Sequence, residues 1–308
     1  GLLQAEVNGT DLSLSGSAAL TPLGWSYNGQ VGVPAVGSQT VMSLWPEMLN
    51  TKSRRWFGKN VRKGTLKNLS FDLRQAAGTA AVLASSFQFE EAEVKFLPNM
   101  PVISEGLGYG VLERDEFILA LETGYVQAAK GGRLHMDGSS MRVPNAHVPD
   151  PPVIFDLKGR GSVPTLMSLM DNKPFQISTK TKLGIDDVSG QAQLAAQIET
   201  HLKDELTSRD MSYALTGTLR DLRSELLVPG HIFTAELLQL TGTPDLIEIS
   251  GAGRVSDIPF EGRWSHALGA PNLSSQVTAK FELTPASLKT LNIGLPEGSL
   301  SGAAEGAL

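Results

Sequence analysis

Three things are missing from this sequence, and each absence removes a class of protein. There is no cysteine among its 308 residues, which excludes a disulfide framework, a thiol nucleophile and a cysteine-bound metal. That absence is compatible with an oxidising compartment and does not require one. The longest apolar runs are a handful of residues, against the roughly 20 that a helix needs to cross a bilayer. The residues after Gly1 carry neither a basic stretch nor an apolar leader core, so any export signal or membrane anchor is expected to lie outside this segment.

Chemistry-bearing patterns are equally sparse. The five histidines, His135, His147, His201, His231 and His266, are too widely spaced to place two imidazoles on one metal from a single element. Arg114, Asp115 and Glu116 read as a charged turn, as do Asp186 and Asp187. Gly106-x-Gly108-x-Gly110 and Gly159-x-Gly161 lack the following Lys-Ser/Thr of a phosphate-cradling loop, and they are read as hairpin turns. No G-x-S-x-G elbow is present, leaving no nucleophile with a recognisable setting. The expectation is a protein that is not an enzyme and uses no cofactor and no metal.

What the chain does contain is alternation. Apolar residues make up 41% and charged residues 19%, a balance that buries a core and is not that of a disordered chain. Asp11-Leu12-Ser13-Leu14-Ser15 and Ser86-Phe87-Gln88-Phe89-Glu90 alternate with a period of two, the mark of a strand with one buried face. Glu93-Val94-Lys95-Phe96 alternates with the opposite parity, so a bulge or tight turn near Glu91 is required to keep both apolar pairs on one side. Further strands are expected at residues 117–125, 133–137, 153–158, 193–199, 212–218, 246–250 and 277–283, averaging about half a dozen residues. Asn8-Gly9, Asn28-Gly29, Gly131-Gly132 and Asp137-Gly138 supply hairpin-type turns. The fold class that follows is mainly β, an antiparallel meander with about four short helices.

Helical spacing is confined to short stretches. Trp45, Met48, Leu49, Lys52 and Trp56 fall at i, i+3, i+4, i+7 and i+11, predicting a helix that opens at Trp45-Pro46 and stops near Gly58. Ser162-Val163-Pro164 and Thr284-Pro285 each set a capping hydroxyl just before a proline suited to a first helical turn. A fourth helix is expected over residues 199–206. The unit of strand, short capped helix, stop and new strand recurs about every 120 residues and runs to both ends, so the pattern is expected to continue beyond this segment. A division into regions 1–185 and 186–308 is drawn where Gly184 and Asp186-Asp187 interrupt the alternation.

Two features invite a function. Lys52, Arg54, Arg55, Lys59, Arg62, Lys63 and Lys67 fall in one acid-free window, +7 in a chain of net charge −6. A solvated helix face, contact with anionic lipid headgroups and nucleic-acid binding are the readings of that window. The acidic remainder and the lack of RNA-module aromatics argue against nucleic acid. The headgroup candidates are Arg54, Arg55, Lys59, Arg62 and Lys63, flanked by Trp45, Trp56 and Phe57. The second feature is the apolar set Phe87, Phe89, Val94, Phe96, Phe117, Leu119, Leu121, Leu134, Met136, Phe155 and Leu157, which alternation assigns to one sheet face. A closed sandwich core would account for all of them. A sheet with few helices to cover it would instead leave an open apolar surface, and such surfaces bind partners.

The order of these motifs resembles the AsmA-like family of YhdP type. Leu44-Trp45-Pro46-Glu47, Lys52-Ser53-Arg54-Arg55-Trp56-Phe57 and Asn60-Val61-Arg62-Lys63-Gly64 are followed by Phe87-Gln88-Phe89, by Val94-Lys95-Phe96-Leu97-Pro98 and by Met100-Pro101-Val102. Gly124, Gly132-Arg133-Leu134 and the run from Val153 to Gly159 continue the likeness over residues 40–180. The resemblance implies an elongated, strongly curved, folded-over antiparallel sheet. It implies further a periplasmic protein anchored in the inner membrane by an N-terminal helix, its apolar groove carrying phospholipid acyl chains towards the outer membrane. The alternative retained beside it is a structural or adhesin-like envelope β module with a closed core.

Overall fold

In this computed structural model the described residues are 1–45, 47, 51–96, 99–172, 187–202, 211–228, 230–268, 275–290 and 304–307. Among the described residues strands account for 69% and helices for 11%, as one antiparallel sheet of 17 strands with four helices. The chain forms two compact units. The first comprises Gly1–Gln127, His135–Leu157 and Glu199–Met211, and the second Ala128–Leu134, Lys158–Ile198 and Ser212–Leu308. The expected division at 185/186 falls on residues 173–186, outside the described set.

In the first unit β1 (Leu2–Val7), β2 (Thr10–Thr21), β3 (Gly24–Gly37), β4 (Val61–Gln75), β5 (Val82–Val94), β6 (Ile103–Glu113) and β7 (Glu116–Gln127) pair in chain order, each antiparallel to the next. After β8 (Arg133–His135), β7 pairs with β9 (Ser139–Val143), and β9 pairs with the start of β10 (Pro152–Ser162). Asn8 and Gly9, at φ 52° and 72°, make the two-residue turn that joins Val7 to its partner Thr10, both residues in the left-handed region that such a hairpin demands. Arg114 and Asp115 turn the chain between Glu113 and Glu116, as the sequence indicated.

In the second unit β11 (Val188–His201) is followed by β12 (Ser212–Val228), β13 (His231–Gly242), β14 (Leu246–Val255), β15 (Ile258–Ala267), β16 (Gln276–Leu283) and β17 (Ala304–Ala307). From β12 to β17 each strand pairs antiparallel with the next.

The strands outrun the expected half-dozen residues, reaching 15 in β4 and 17 in β12. Irregularities that read as strand ends are absorbed as bulges. Asn68, Glu91, Glu105 and Asp221 take φ near +50°, and the registers of β4, β5 and β6 shift around the first three of them. The bulge required near Glu91 is thus present, and it returns Ala92 to the buried side that Phe89 occupies. Asn28-Gly29 is no turn: it lies in mid-strand, with Gly29 paired to Gly16 on one side and Leu73 on the other.

The glycine runs expected as turns are also interior to strands. Phe87 pairs with Gly110 and Phe89 with Gly108, and each phenyl ring lies over its glycine. A Cβ at Gly108 would sit 2.6 Å from Phe89 Cζ, and one at Gly110 would strike the Phe87 ring. The same nesting puts Leu134 over Gly159 and Gly161 and Phe260 against Gly253 and Gly262. Glycine here makes room for a neighbour's side chain.

Of the helices, α1 (Ser38–Leu44) precedes the one expected at Trp45, and α2 (Thr51–Asn60) follows it. Trp45 ends α1 in an extended conformation, φ −77° and ψ 112°, which is what a residue ahead of a proline favours. Gly58 does not stop α2, because it is the contact point with α1: a Cβ there would lie 2.8 Å from Met42 Cε. Ser162 caps α3 (Val163–Met170) by accepting from the Thr165 amide at 3.2 Å, with Pro164 in the first turn as expected. In α4 (Pro285–Thr290) the Thr284 hydroxyl accepts from the Ser287 amide while the Ser287 hydroxyl accepts from the Thr284 amide, a reciprocal box that satisfies two otherwise free donors. The helix expected over 199–206 is strand β11 as far as His201, and residues 203–206 lie outside the described set.

The α3 cap is tied to the Gly131-Gly132 turn, since the Gly131 carbonyl accepts from both Ser162 Oγ and Thr165 Oγ1. Gly131 sits at φ +83°, and a Cβ on it would strike the Pro164 carbonyl carbon and the Thr165 amide. Gly131→Ala is therefore expected to destabilise the protein by about 2–3 kcal/mol, and Gly132→Ala, with open space around it, by about 1 kcal/mol. Urea unfolding of the two variants measures that difference; equal costs would mean that the turn is not locked to α3.

Candidate functional site

Antiparallel partners project to the same face, so the registers assign every strand residue to a side. In the first unit Leu14, Val31, Phe71, Ser85, Leu112, Phe117 and Val143 form one continuous row from β2 to β9. Parallel rows on the same face hold Leu12, Val33 and Leu69, then Leu119, Met141 and Phe155, then Leu66, Phe89 and Leu121. The opposite face carries Ser13, Ser15, Asn28, Gln30, Ser70, Asp72, Ser86 and Gln88. From β2 to β5 one face is apolar and the other polar, whereas on β6, β7 and β10 the second face also carries Val111, Ile118 and Ile154.

The apolar candidates from the sequence fall into this frame unevenly. Phe87, Phe89, Phe117, Leu119, Leu121, Phe155 and Leu157 share the face; Phe89, Leu134 and Met136 are buried, and Phe87, Val94, Phe117, Leu119, Leu121, Phe155 and Leu157 are half-buried. Val94 closes β5 opposite Ile103, and Phe96 lies past the end of that strand. Leu134 and Met136 flank His135 around the short β8.

Cover on this face is local. Helix α1 lays Val41 and Leu44 against Val33, Val36 and Leu69, with Leu12, Leu66 and Phe87 at the margin. Along β4 the exposure then climbs from 8% at Leu69 to 39% at Phe71 and Leu73. On the neighbouring strands Leu20 reaches 68% and Trp25 60%, and these two are directly paired. Sequence reasoning missed this open end, although Leu12 and Leu14 on β2 and Leu69, Phe71 and Leu73 on β4 alternate as clearly as Phe87 and Phe89.

The second unit repeats the arrangement. Leu219, Leu238, Gly251, Gly262 and Ala279 share one row, and Gly217, Leu240, Ile249, Trp264 and Val277 the next. Phe233, Phe260 and Phe281 form an aromatic line with centroids 5.4 and 6.0 Å apart. Helix α3 covers one end, where Val163, Leu166 and Met167 pack on Ala192, Leu219, Leu222, Ala235 and Leu238. Val277, at the far side, is exposed.

The basic window separates into distinct roles. Arg54 donates from Nε to the Trp45 carbonyl at 3.0 Å and from Nη2 to the Met42 carbonyl at 3.2 Å, satisfying the free carbonyls at the end of α1. Lys63 reaches Glu91 at 3.1 Å, and that carboxylate holds the ammonium above its ordinary pKa. Lys67 pairs with Glu90. Arg55, Lys59 and Arg62 are exposed, and no salt bridge engages them among the described residues. Phe57 turns inward to Trp45, ring centroids 6.2 Å apart, while Trp56 faces solvent.

The histidines have separate partners: His147 meets Asp115 and the Arg114 carbonyl, His231 meets Ser256, and His266 meets Ser275. Among the described residues no three His, Asp or Glu side chains converge on a metal-sized site, and no helix is long and apolar enough to cross a membrane. Burial raises the pKa of the Tyr213 hydroxyl, with Asp245 adding to the effect. No protein-family model matches the chain, nor does any curated protein or solved structure.

Arg54→Gln removes two charge-assisted bonds to the end of α1 and is expected to cost about 1–2 kcal/mol of stability. Arg55→Gln, which removes no such bond, is expected to leave the unfolding midpoint within about 0.5 kcal/mol of the parent. Chemical denaturation separates the two; equal effects would contradict the division of roles.

Proposed function

We propose that this chain is a non-catalytic segment of an envelope lipid-transfer protein whose apolar sheet face carries phospholipid acyl chains. The observation that carries this reading is the rise in exposure along one apolar face, from Leu69 beneath α1 to Phe71, Leu73, Leu20 and Trp25 beyond it. A closed sandwich would cover those side chains with a second layer. Exposed apolar area of this kind is unfavourable in water and is relieved by an apolar ligand. Each acyl methylene buried against it is worth about 0.8 kcal/mol, and such a gain needs no specific polar group. A lining of Leu, Val and Phe, with rings set against glycines, suits a ligand recognised by its apolar bulk.

The ordered likeness of residues 40–180 to the AsmA-like family supports the same reading. It extends the proposal to a periplasmic protein, held at the inner membrane by an N-terminal anchor and passing phospholipid between inner and outer membranes.

Photocrosslinking tests it. A benzoyl-phenylalanine in place of Phe71 is expected to capture phospholipid during expression in a Gram-negative host, detected by mass spectrometry of the purified adduct. The same probe in place of Gln30, on the polar face, is expected to capture none. Leu73→Glu is expected to reduce co-purified lipid severalfold, with little loss of stability because Leu73 is already part-exposed. Absence of lipid adducts at Phe71, or equal labelling at the two positions, rejects the proposal.

A further inference from the structure

The exposed side of helix α2 has no part in the apolar face, and its composition is specific. Arg55 and Lys59 stand four residues apart and project on one side of the helix, with Trp56 between them on the adjoining side. Trp56 is 41% exposed, and Arg62 follows at the start of β4, also exposed. The other side of α2 is committed to the protein: Arg54 caps α1, Phe57 packs on Trp45, and Gly58 admits Met42. Helix α2 is therefore held against α1 by one face while presenting three cations and an indole on the other. No acid occurs between Lys52 and Lys67 to neutralise them, and of the acids on β5 Glu91 is taken by Lys63 and Glu90 by Lys67, while Glu93 lies opposite Lys63.

We infer that α2 is a docking element for an anionic bilayer surface, contacting it through Arg55, Lys59 and Arg62 with Trp56 at the headgroup level. The occupant follows from charge and shape. Three exposed cations with no ion pair among the described residues, in an otherwise acidic chain, attract a surface of opposite charge, and an exposed indole beside them prefers the boundary between headgroups and acyl chains. Nucleic acid would favour a broader basic surface than the rest of this chain provides. The inference stands apart from the acyl-chain reading, since it uses none of the residues of the apolar face.

Vesicle co-sedimentation tests it, with vesicles of phosphatidylglycerol and phosphatidylethanolamine compared against phosphatidylcholine alone. Binding to the anionic vesicles is expected to be at least tenfold tighter and to fall with salt. Each of Arg55→Gln, Lys59→Gln and Arg62→Gln is expected to weaken it about fivefold, and the triple variant about a hundredfold. Trp56→Ala is expected to weaken it severalfold, and brominated lipids are expected to quench fluorescence of the parent more than that of Trp56→Phe. Lys63→Gln, already paired to Glu91, is expected to change binding less than twofold. Equal binding to both vesicle types, or a triple variant that binds as the parent does, overturns the inference. Retained lipid crosslinking at Phe71 in that variant would show that the apolar-face reading survives the failure. Absence of crosslinking at Phe71 in the parent, with its binding to anionic vesicles intact, would show the reverse.

Discussion

The pleat of a strand sends successive side chains to opposite faces, and from β2 to β5 the leucines, valines and phenylalanines in the paired rows must reach the same face. Register is therefore the constraint on which the rest depends. A slip of one residue between β4 and β5 would carry Phe71 and Leu73 to the side of Ser86 and Gln88. The bulges at Asn68, Glu91 and Glu105 keep that from happening where the sequence parity changes. Each places a polar residue in the left-handed region at a local cost of order 1 kcal/mol, offset by the apolar side chains it keeps in register.

Much of this was legible in the sequence. Alternation located strands β2, β5, β7, β10, β11, β12, β14 and β16, and its change of parity after Phe89 required the bulge near Glu91. Capping chemistry placed α3 and α4, because Ser162-Val163-Pro164 and Thr284-Pro285 carry both the hydroxyl and the proline. The failures have one origin: local signals whose meaning is set by a distant partner. Gly108 and Gly110 look like turn residues until Phe87 and Phe89 are seen above them. Gly58 looks like a helix stop until Met42 is seen against it.

The candidate site was legible in kind and misjudged in extent. The apolar face was found from Phe87 onward, where aromatic residues make alternation conspicuous, and those residues turned out to be the better covered ones. Its open end lies on β2 to β4, where the alternation is as regular but nothing in the local pattern tells how far the cover of α1 extends. The basic window stands out in the sequence, but charge counting could not tell Arg54, whose guanidinium closes a helix, from Arg55 one residue later. Only the direction of each side chain around α2 separates them.

The polar bulges also bear on how such a sheet tolerates change in length. In a strand read two residues at a time, losing Glu91 alone would act like a frameshift, sending Ala92 and Val94 to the wet side while everything before Phe89 stayed in place. Because the left-handed residue absorbs the odd step, a sheet of this kind can accommodate an extra residue in mid-strand and still keep its two faces distinct. Its strands are punctuated internally, and their lengths can drift by one residue wherever a polar side chain stands ready to take up the extra step.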